Sequence, residues 1–151
     1  MMPVSRHAVL IPSYNSGRLL VATVAEALSV WPEVIVVIDG STDGSEIPLM
    51  ALTADHPGLK ILEFERNRGK GAAVLSGAAL AAEHGFSHVL TMDADGQHPA
   101  ASIVAFMDLS RANPEAMVLG VPVFGAEAPA LRVWGRRISN VLASVETKGA
   151  I

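Results

Sequence analysis

The chain has no cysteine among its 151 residues, so disulfide bridges and thiolate metal sites are excluded. It also lacks a long apolar run. Apolar residues make up 50% of it, but every run is broken by proline, glycine or charge. None reaches the roughly 18 to 20 residues that a membrane span needs. The opening MMPVSRHAVLIPSYN has too short an apolar stretch, and no small-residue cleavage site, for a signal peptide. An excess of positive charge is missing as well: a net charge of -4 and a pI near 5.7 argue against nucleic acid as a partner. Small anionic ligands stay open, because they need only local positive charge. No internal repeat, low-complexity tract or interdomain linker is found. These absences leave a cytoplasmic protein as the default, and a mean hydropathy of +0.39 promises a real core.

What is present is a regular alternation of short apolar runs and helical patterns. His7 to Ile11 reads as a first strand. Leu19, Leu20, Val24, Ala27 and Leu28 follow helical spacing, with Ser16 placed to cap that helix. Val34 to Ile38 is a β-branched run typical of a strand buried on both faces. A short helix from about Ser45 to Ala54 admits Pro48 in its first turns. Leu59 to Phe64 is a third strand, and Lys70 to Glu83 an alanine-rich helix ended by Gly85. His88 to Met92, Ala100 to Arg111 and Ala116 to Val121 read as strand, helix and fifth strand. The repeated β-α order predicts an α/β fold: a doubly wound, mostly parallel sheet with helices on both faces.

That order puts four unusual clusters at the carboxyl ends of strands: PSYNSG, DGSTDGS, ERNRGKG and DADGQHP. Ligands of open α/β sheets bind along this edge. Glycine, aspartate, serine and asparagine are also ordinary turn formers, so one such loop alone would carry little. RGKGAAVLSG is not a P-loop, because no glycine stands five residues before Gly69 and Gly71 follows Lys70 where Ser or Thr is required. Nor is it the dinucleotide fingerprint, because Val74 replaces the third glycine and the loop follows the third strand. What remains is Arg66, Arg68 and Lys70 at a helix start, either an anion site or a solvated basic loop.

Asp93 and Asp95 stand one residue apart, and two carboxylates that close repel each other. A divalent cation relieves that repulsion. Mg²⁺ and Mn²⁺ prefer carboxylates, water and phosphate oxygens, and Gln97 can add a neutral oxygen. A Mg²⁺ site built from one or two carboxylates leaves room for the phosphates of a nucleoside diphosphate. The twelve-residue EF-hand pattern is missing. His84 and His88 straddle Gly85 and read as surface or strand-edge residues, and His98 as a turn residue or a neighbour of the metal loop.

With those residues quoted, the chain resembles a family 2 glycosyltransferase with a GT-A fold, nearest the dolichol-phosphate mannosyltransferase-like branch. The resemblance lies in IPSYNSG, VVIDGSTDGS, NRGKGAAVLSGAALA and DADGQHP, in that order. It implies a nucleotide-sugar donor, a lipid-linked or glycan acceptor, and a Rossmann-like nucleotide-binding half at 1–122. The acceptor side would begin in 123–151 and be incomplete, as in a truncated chain. Pro12, Tyr14 and Asn15 match the loop flanking base and ribose, Asp39 the acidic residue that contacts the nucleoside, and Lys70 the lysine of the Gly-Lys-Gly loop. Asp93, Asp95 and Gln97 match the metal and diphosphate site, with Mg²⁺ or Mn²⁺ as cofactor and inversion at the anomeric carbon. Asp39 is expected at the sheet edge with Ile38 in the core, so that removing the Asp39 carboxylate weakens binding and hardly touches stability.

Three positions depart from the family pattern. Ser16 replaces a common glutamate, Ile38 the first aspartate of an acidic pair, and Gly120-Val121-Pro122 a Gly-Ser-Arg whose arginine helps hold an acceptor phosphate. The third departure weakens the case for a polyprenyl-phosphate acceptor. Near the end, Trp134, Ile138, Val141, Leu142 and Val145 keep helical spacing beside Arg132, Arg136 and Arg137. That pattern suits either a helix packed on the sheet or an interfacial helix at the inner face of the cell membrane. Two alternatives to the transferase stay open. One is a truncated donor-binding domain with little turnover. The other, a nucleotidyltransferase, would show a glycine-rich basic loop after the first strand, where PSYNSG stands.

Overall fold

A computed structural model of the chain describes residues 6–120. The strands are β1 (His7–Ser13), β2 (Val34–Asp39), β3 (Leu59–Phe64) and β4 (His88–Thr91). The helices are α1 (Gly17–Val30), α2 (Glu46–Leu52), α3 (Lys70–Glu83) and α4 (Ser102–Ala112). The four strands form one sheet in the order β3-β2-β1-β4, and all pairs are parallel. Val9 lies opposite Val34 and Leu90, and Val34 opposite Leu59. These elements belong to one compact unit that ends at Val118.

The central strands are apolar at nearly every position because both faces are covered. On one face Val9, Ile11, Val36 and Ile38 pack with Leu20, Val24 and Ala27 of α1 and with Ile103 and Met107 of α4. On the other, Ala8, Leu10, Ile35 and Val37 pack with Ala73 and Ala81 of α3. Each fully buried leucine, isoleucine or valine contributes about 1.5 to 3 kcal/mol. Gly77 marks how closely α3 lies on the sheet: a Cβ there would stand 2.3 Å from Leu10 Cδ1 and 2.9 Å from Val37 Cγ2. Glycine in mid-helix costs about 1 kcal/mol against alanine, and close packing of helix on sheet offsets that cost.

The doubly wound parallel sheet expected from the sequence is present. Two local expectations are corrected. Ser16 does not cap α1 with its side chain; its hydroxyl accepts from Ser13 Oγ at 2.9 Å instead. The α1 N-terminus is served across loops, because Gly17 N–H donates to Asp43 Oδ2 at 2.8 Å. The fifth strand is also missing among the described residues: 116–120 contain no strand, and Met117 and Leu119 are 84% and 69% exposed. That segment leaves its large apolar side chains in solvent instead of lying along the four-residue β4. The expected tail helix with Trp134 and the three arginines lies outside the described residues, as do Val121 and Pro122.

Gly40 sets the spacing between two of the loops at the carboxyl edge. Its φ is +65°, and a Cβ on it would lie 2.2 Å from Arg66 C and from Asn67 N. Gly44 has a similar φ of +71°, yet its Cβ would meet nothing nearer than Ile47 Cδ1 at 3.8 Å. Gly44→Ala is therefore expected to cost only the left-handed strain, about 1 to 2 kcal/mol. Gly40→Ala adds a backbone clash and is expected to cost about 3 kcal/mol or more. Denaturant unfolding of both variants checks this, and equal losses would show that the close approach carries no energy.

Candidate functional site

Each polar cluster lies at the carboxyl end of a strand, and because the strands are parallel the sheet carries all four to one edge. There, Pro12, Tyr14, Asp39, Lys70, Asp93 and Asp95 border a single cavity of about 320 Å³. Six of the eight residues singled out from the sequence are thus brought together. Asn15 and Gln97 do not border the cavity. Asn15, at φ +49°, ties neighbouring loops: its N–H donates to Ser41 Oγ at 3.0 Å, and its Oδ1 accepts from Thr42 N at 2.8 Å. Asparagine tolerates this left-handed conformation better than most residues. Gln97 meets Asp95 through its backbone, donating its N–H to Asp95 Oδ1 at 2.9 Å.

Asp39 is the last residue of β2 and only 3% exposed. Its Oδ1 accepts from Arg68 N at 2.6 Å and its Oδ2 from Gly69 N at 2.9 Å. Ile38 is fully buried, as expected. The Asp39 carboxylate, however, is not free at that edge. It ties the β3–α3 loop to the strand end, which argues against the expectation that stability is indifferent to it. Hydrogen bonds to a charged acceptor are worth about 1.5 to 3 kcal/mol each.

Beyond that loop, Lys70 opens α3 and reaches the β4–α4 loop. Its Nζ lies 2.5 Å from Asp93 Oδ1, with the two side chains 65% and 42% exposed. Arg68 is engaged elsewhere, its guanidinium 4.7 Å from the centroid of the Phe64 ring. Asp93 and Asp95 flank Ala94, which is buried in the core layer with α1 and α4 and anchors the turn between them. The Asp93 N–H donates to His98 Nδ1 at 3.2 Å, so His98 braces the acidic turn from behind.

Oxygen ligands of this kind fit Mg²⁺ or Mn²⁺ and not a thiolate-seeking metal. Among the described residues no three His, Cys, Asp or Glu side chains converge on one point. The remaining ligands of a bound cation would therefore be water and ligand oxygens.

Sequence reasoning missed three contributors. Asn67 borders the cavity and accepts from Gly69 N with its Oδ1 at 3.0 Å. An asparagine two residues before a glycine is a recognisable Asx-turn signal. Asp43 accepts from Gly17 N and, at 3.1 Å, from Ser45 N. Its carboxyl is held below the usual carboxylate range by hydrogen bonds that include these backbone N–H groups, against opposing desolvation. Ser41, the partner of Asn15, is the third.

A second cavity of about 260 Å³ lies at the opposite, amino edge beside Arg6, Glu33, Lys60 and His84. Arg6 there stacks over Phe86 and donates to the His84 carbonyl, which is the pattern of a structural corner.

Known proteins of related sequence and shape bear on the same edge. The chain is 33% identical over 109 residues to a polyprenol monophosphomannose synthase of Mycolicibacterium smegmatis, covering 70% of this chain and 41% of that protein. It is 30% identical over 108 residues to an undecaprenyl-phosphate mannosyltransferase of Micrococcus luteus, covering 70% of this chain and 44% of that one. The chain thus spans less than half the length of these relatives. Among solved structures, a mannosyltransferase from Pyrobaculum calidifontis in complex with GDP-Man and Mn²⁺ superposes with a TM-score of 0.54 at 27% identity, covering 69% of this chain and 31% of that one. The parallel sheet with its covering helices is thus the GT-A arrangement expected from the resemblance. A family model described as glycosyl transferase family 2 matches residues 8–149, nearly the whole length, and the chain belongs to that family.

Proposed function

We propose that the cavity binds a nucleoside-diphosphate sugar, and that the protein transfers the sugar with inversion to a lipid-linked or glycan acceptor. The observation that carries this reading is the convergence of Lys70, Asp93 and Asp95 on one cavity beside the loop fixed by Asp39. Residues 1–122 would form the donor half, and 123–151 would begin the acceptor side. The relatives named for polyprenol and undecaprenyl phosphates favour a lipid-linked acceptor, which the protein would meet at the inner face of the cell membrane. Among the described residues no helix is long and apolar enough to cross a membrane.

The roles follow from chemistry at named atoms. Tyr14 offers an exposed ring beside the cavity on which a base can stack, with Pro12 as the apolar wall below it. Asp39 holds the β3–α3 loop so that Lys70 faces the diphosphate. Asp93 and Asp95 would hold a Mg²⁺ or Mn²⁺ ion, whose chemistry is to neutralise the charge that grows on the diphosphate leaving group as the glycosidic bond breaks. With both carboxylates so engaged, a hydroxyl acceptor would require a base from elsewhere, whereas a phosphate acceptor is already ionised.

Two variants test this reading. Calorimetric titration with GDP and UDP, with and without Mn²⁺, is expected to show metal-dependent binding, and Asp95→Ala to lower the affinity at least about tenfold. EDTA-insensitive binding by the unaltered chain would contradict the reading. Asp39→Ala is expected to lower unfolding free energy by about 3 kcal/mol or more, because two loop N–H groups each lose a charged acceptor. The same variant is expected to bind nucleotide more weakly through the loosened loop. Full stability with intact binding would show that the Asp39 hydrogen bonds position nothing.

A further inference from the structure

Lys70 stands at the first residue of α3, where the aligned peptide dipoles present their positive end. A cation is disfavoured there, and the first turn of α3 holds no acidic residue to offset it. Helix stability therefore does not explain a lysine at this position. Its ammonium is spent on Asp93 Oδ1, 23 residues away in sequence. Both side chains are largely open to solvent, so the pair is worth no more than about 1 kcal/mol and is easily exchanged. It is also the one contact between a cation and the Asp93–Asp95 turn among the described residues.

We infer that Lys70 is an internal counter-ion that shields Asp93 from bare divalent cations and releases it only when an anionic ligand offers the ammonium a better partner. The inference rests on the donor reading for the identity of that ligand, a diphosphate. The physical basis is competition for one carboxylate. The ammonium on Asp93 Oδ1 takes one of the carboxylate's lone-pair sites and offsets its charge, so a metal ion is attracted less strongly while that pair holds. Among the described residues no third carboxylate or imidazole converges with the two aspartates on one point, so a bare cation gains little from Asp95, a charge-neutralised Asp93 and water. A diphosphate changes both sides of the exchange. It supplies oxygens to the metal and, as a denser anion than one carboxylate, draws Lys70 off Asp93. Metal and nucleotide would then enter together, and the acidic turn would stay closed to the cation pool in between. Lys70 is a positioning residue in this step, and no covalent bond changes.

The test uses Mn²⁺ alone as the probe, read by the loss of the free-ion electron paramagnetic resonance signal, on the full chain without nucleotide. Lys70→Met is expected to bind bare Mn²⁺ about fivefold more tightly than the unaltered chain, the equivalent of one exposed ion pair. Lys70→Arg keeps the charge and is expected to restore weak binding. Arg68→Met removes a nearby cation that does not touch Asp93 and is expected to leave bare Mn²⁺ affinity unchanged. An unchanged affinity in Lys70→Met would overturn the inference, as would an equal gain in Arg68→Met, which would point to the general field of the loop. Adding GDP or UDP to the unaltered chain reads the donor assignment separately. If neither nucleotide binds while the Lys70→Met effect persists, the shielding pair stands and the donor reading falls. If nucleotide binds with Mn²⁺ and the Lys70→Met effect is missing, the donor reading stands and the shielding falls.

Discussion

The Asp39 carboxylate ends a fully buried strand and accepts two backbone N–H groups from a loop about thirty residues further on. Those donors have no strand or helix to pair with, because they lie between β3 and α3. A buried polar group without a partner costs far more than a satisfied one contributes, so this tie fixes the course of the loop. Gly40 permits the approach, since any side chain there would collide with the backbone of Arg66 and Asn67. Lys70 follows directly, and α3 is then seated on the sheet through Gly77. The position of the lysine is thus determined at both ends of its segment, and the pairing with Asp93 follows from it.

The sheet order explains why the cavity opens where it does. From β1 the chain winds outward through β2 to β3, then returns to place β4 on the free side of β1. The loops after β1 and β4 leave from the neighbouring strands at which the order reverses, and a crevice between such loops is the usual ligand position in this class of sheet. Tyr14 stands on one side of it and Asp93 and Asp95 on the other. Polar chemistry is concentrated there because the two central strands, β1 and β2, are buried on both faces. Nearly all the freedom to vary lies in the loops.

Much of this was legible in the sequence because it is local. β3 and α3 begin and end at the residues read from the apolar runs, both of which are bounded by glycine or charge. The four strand-end clusters were visible for the same reason. The cap of α1 was misread because serine before a helix is the common local solution, whereas here Asp43 supplies the acceptor from another loop. The role of Asp39 was half legible: its place at a strand end is a matter of pattern, but its partners are a matter of tertiary path. The expected fifth strand is absent from 116–120 because an apolar run satisfies the pattern without ensuring a neighbour to pair with. Carboxylate spacing pointed to a divalent cation and a diphosphate, and the family resemblance added the expectation of a sugar donor.

Successive loops at this edge are joined by contacts between side chain and backbone, or side chain and side chain, never by one loop acting alone. Asn15 binds Ser41 and Thr42, Asp43 binds Gly17, Asp39 binds Arg68 and Gly69, and Lys70 binds Asp93. The four loops are thus a set of interlocking parts. An engineer who transplants one of them from a relative to alter ligand preference would import one half of at least one such contact and strand the other half. Grafts at this edge have to move in groups: the first loop with the second, and the third with both the second and the fourth.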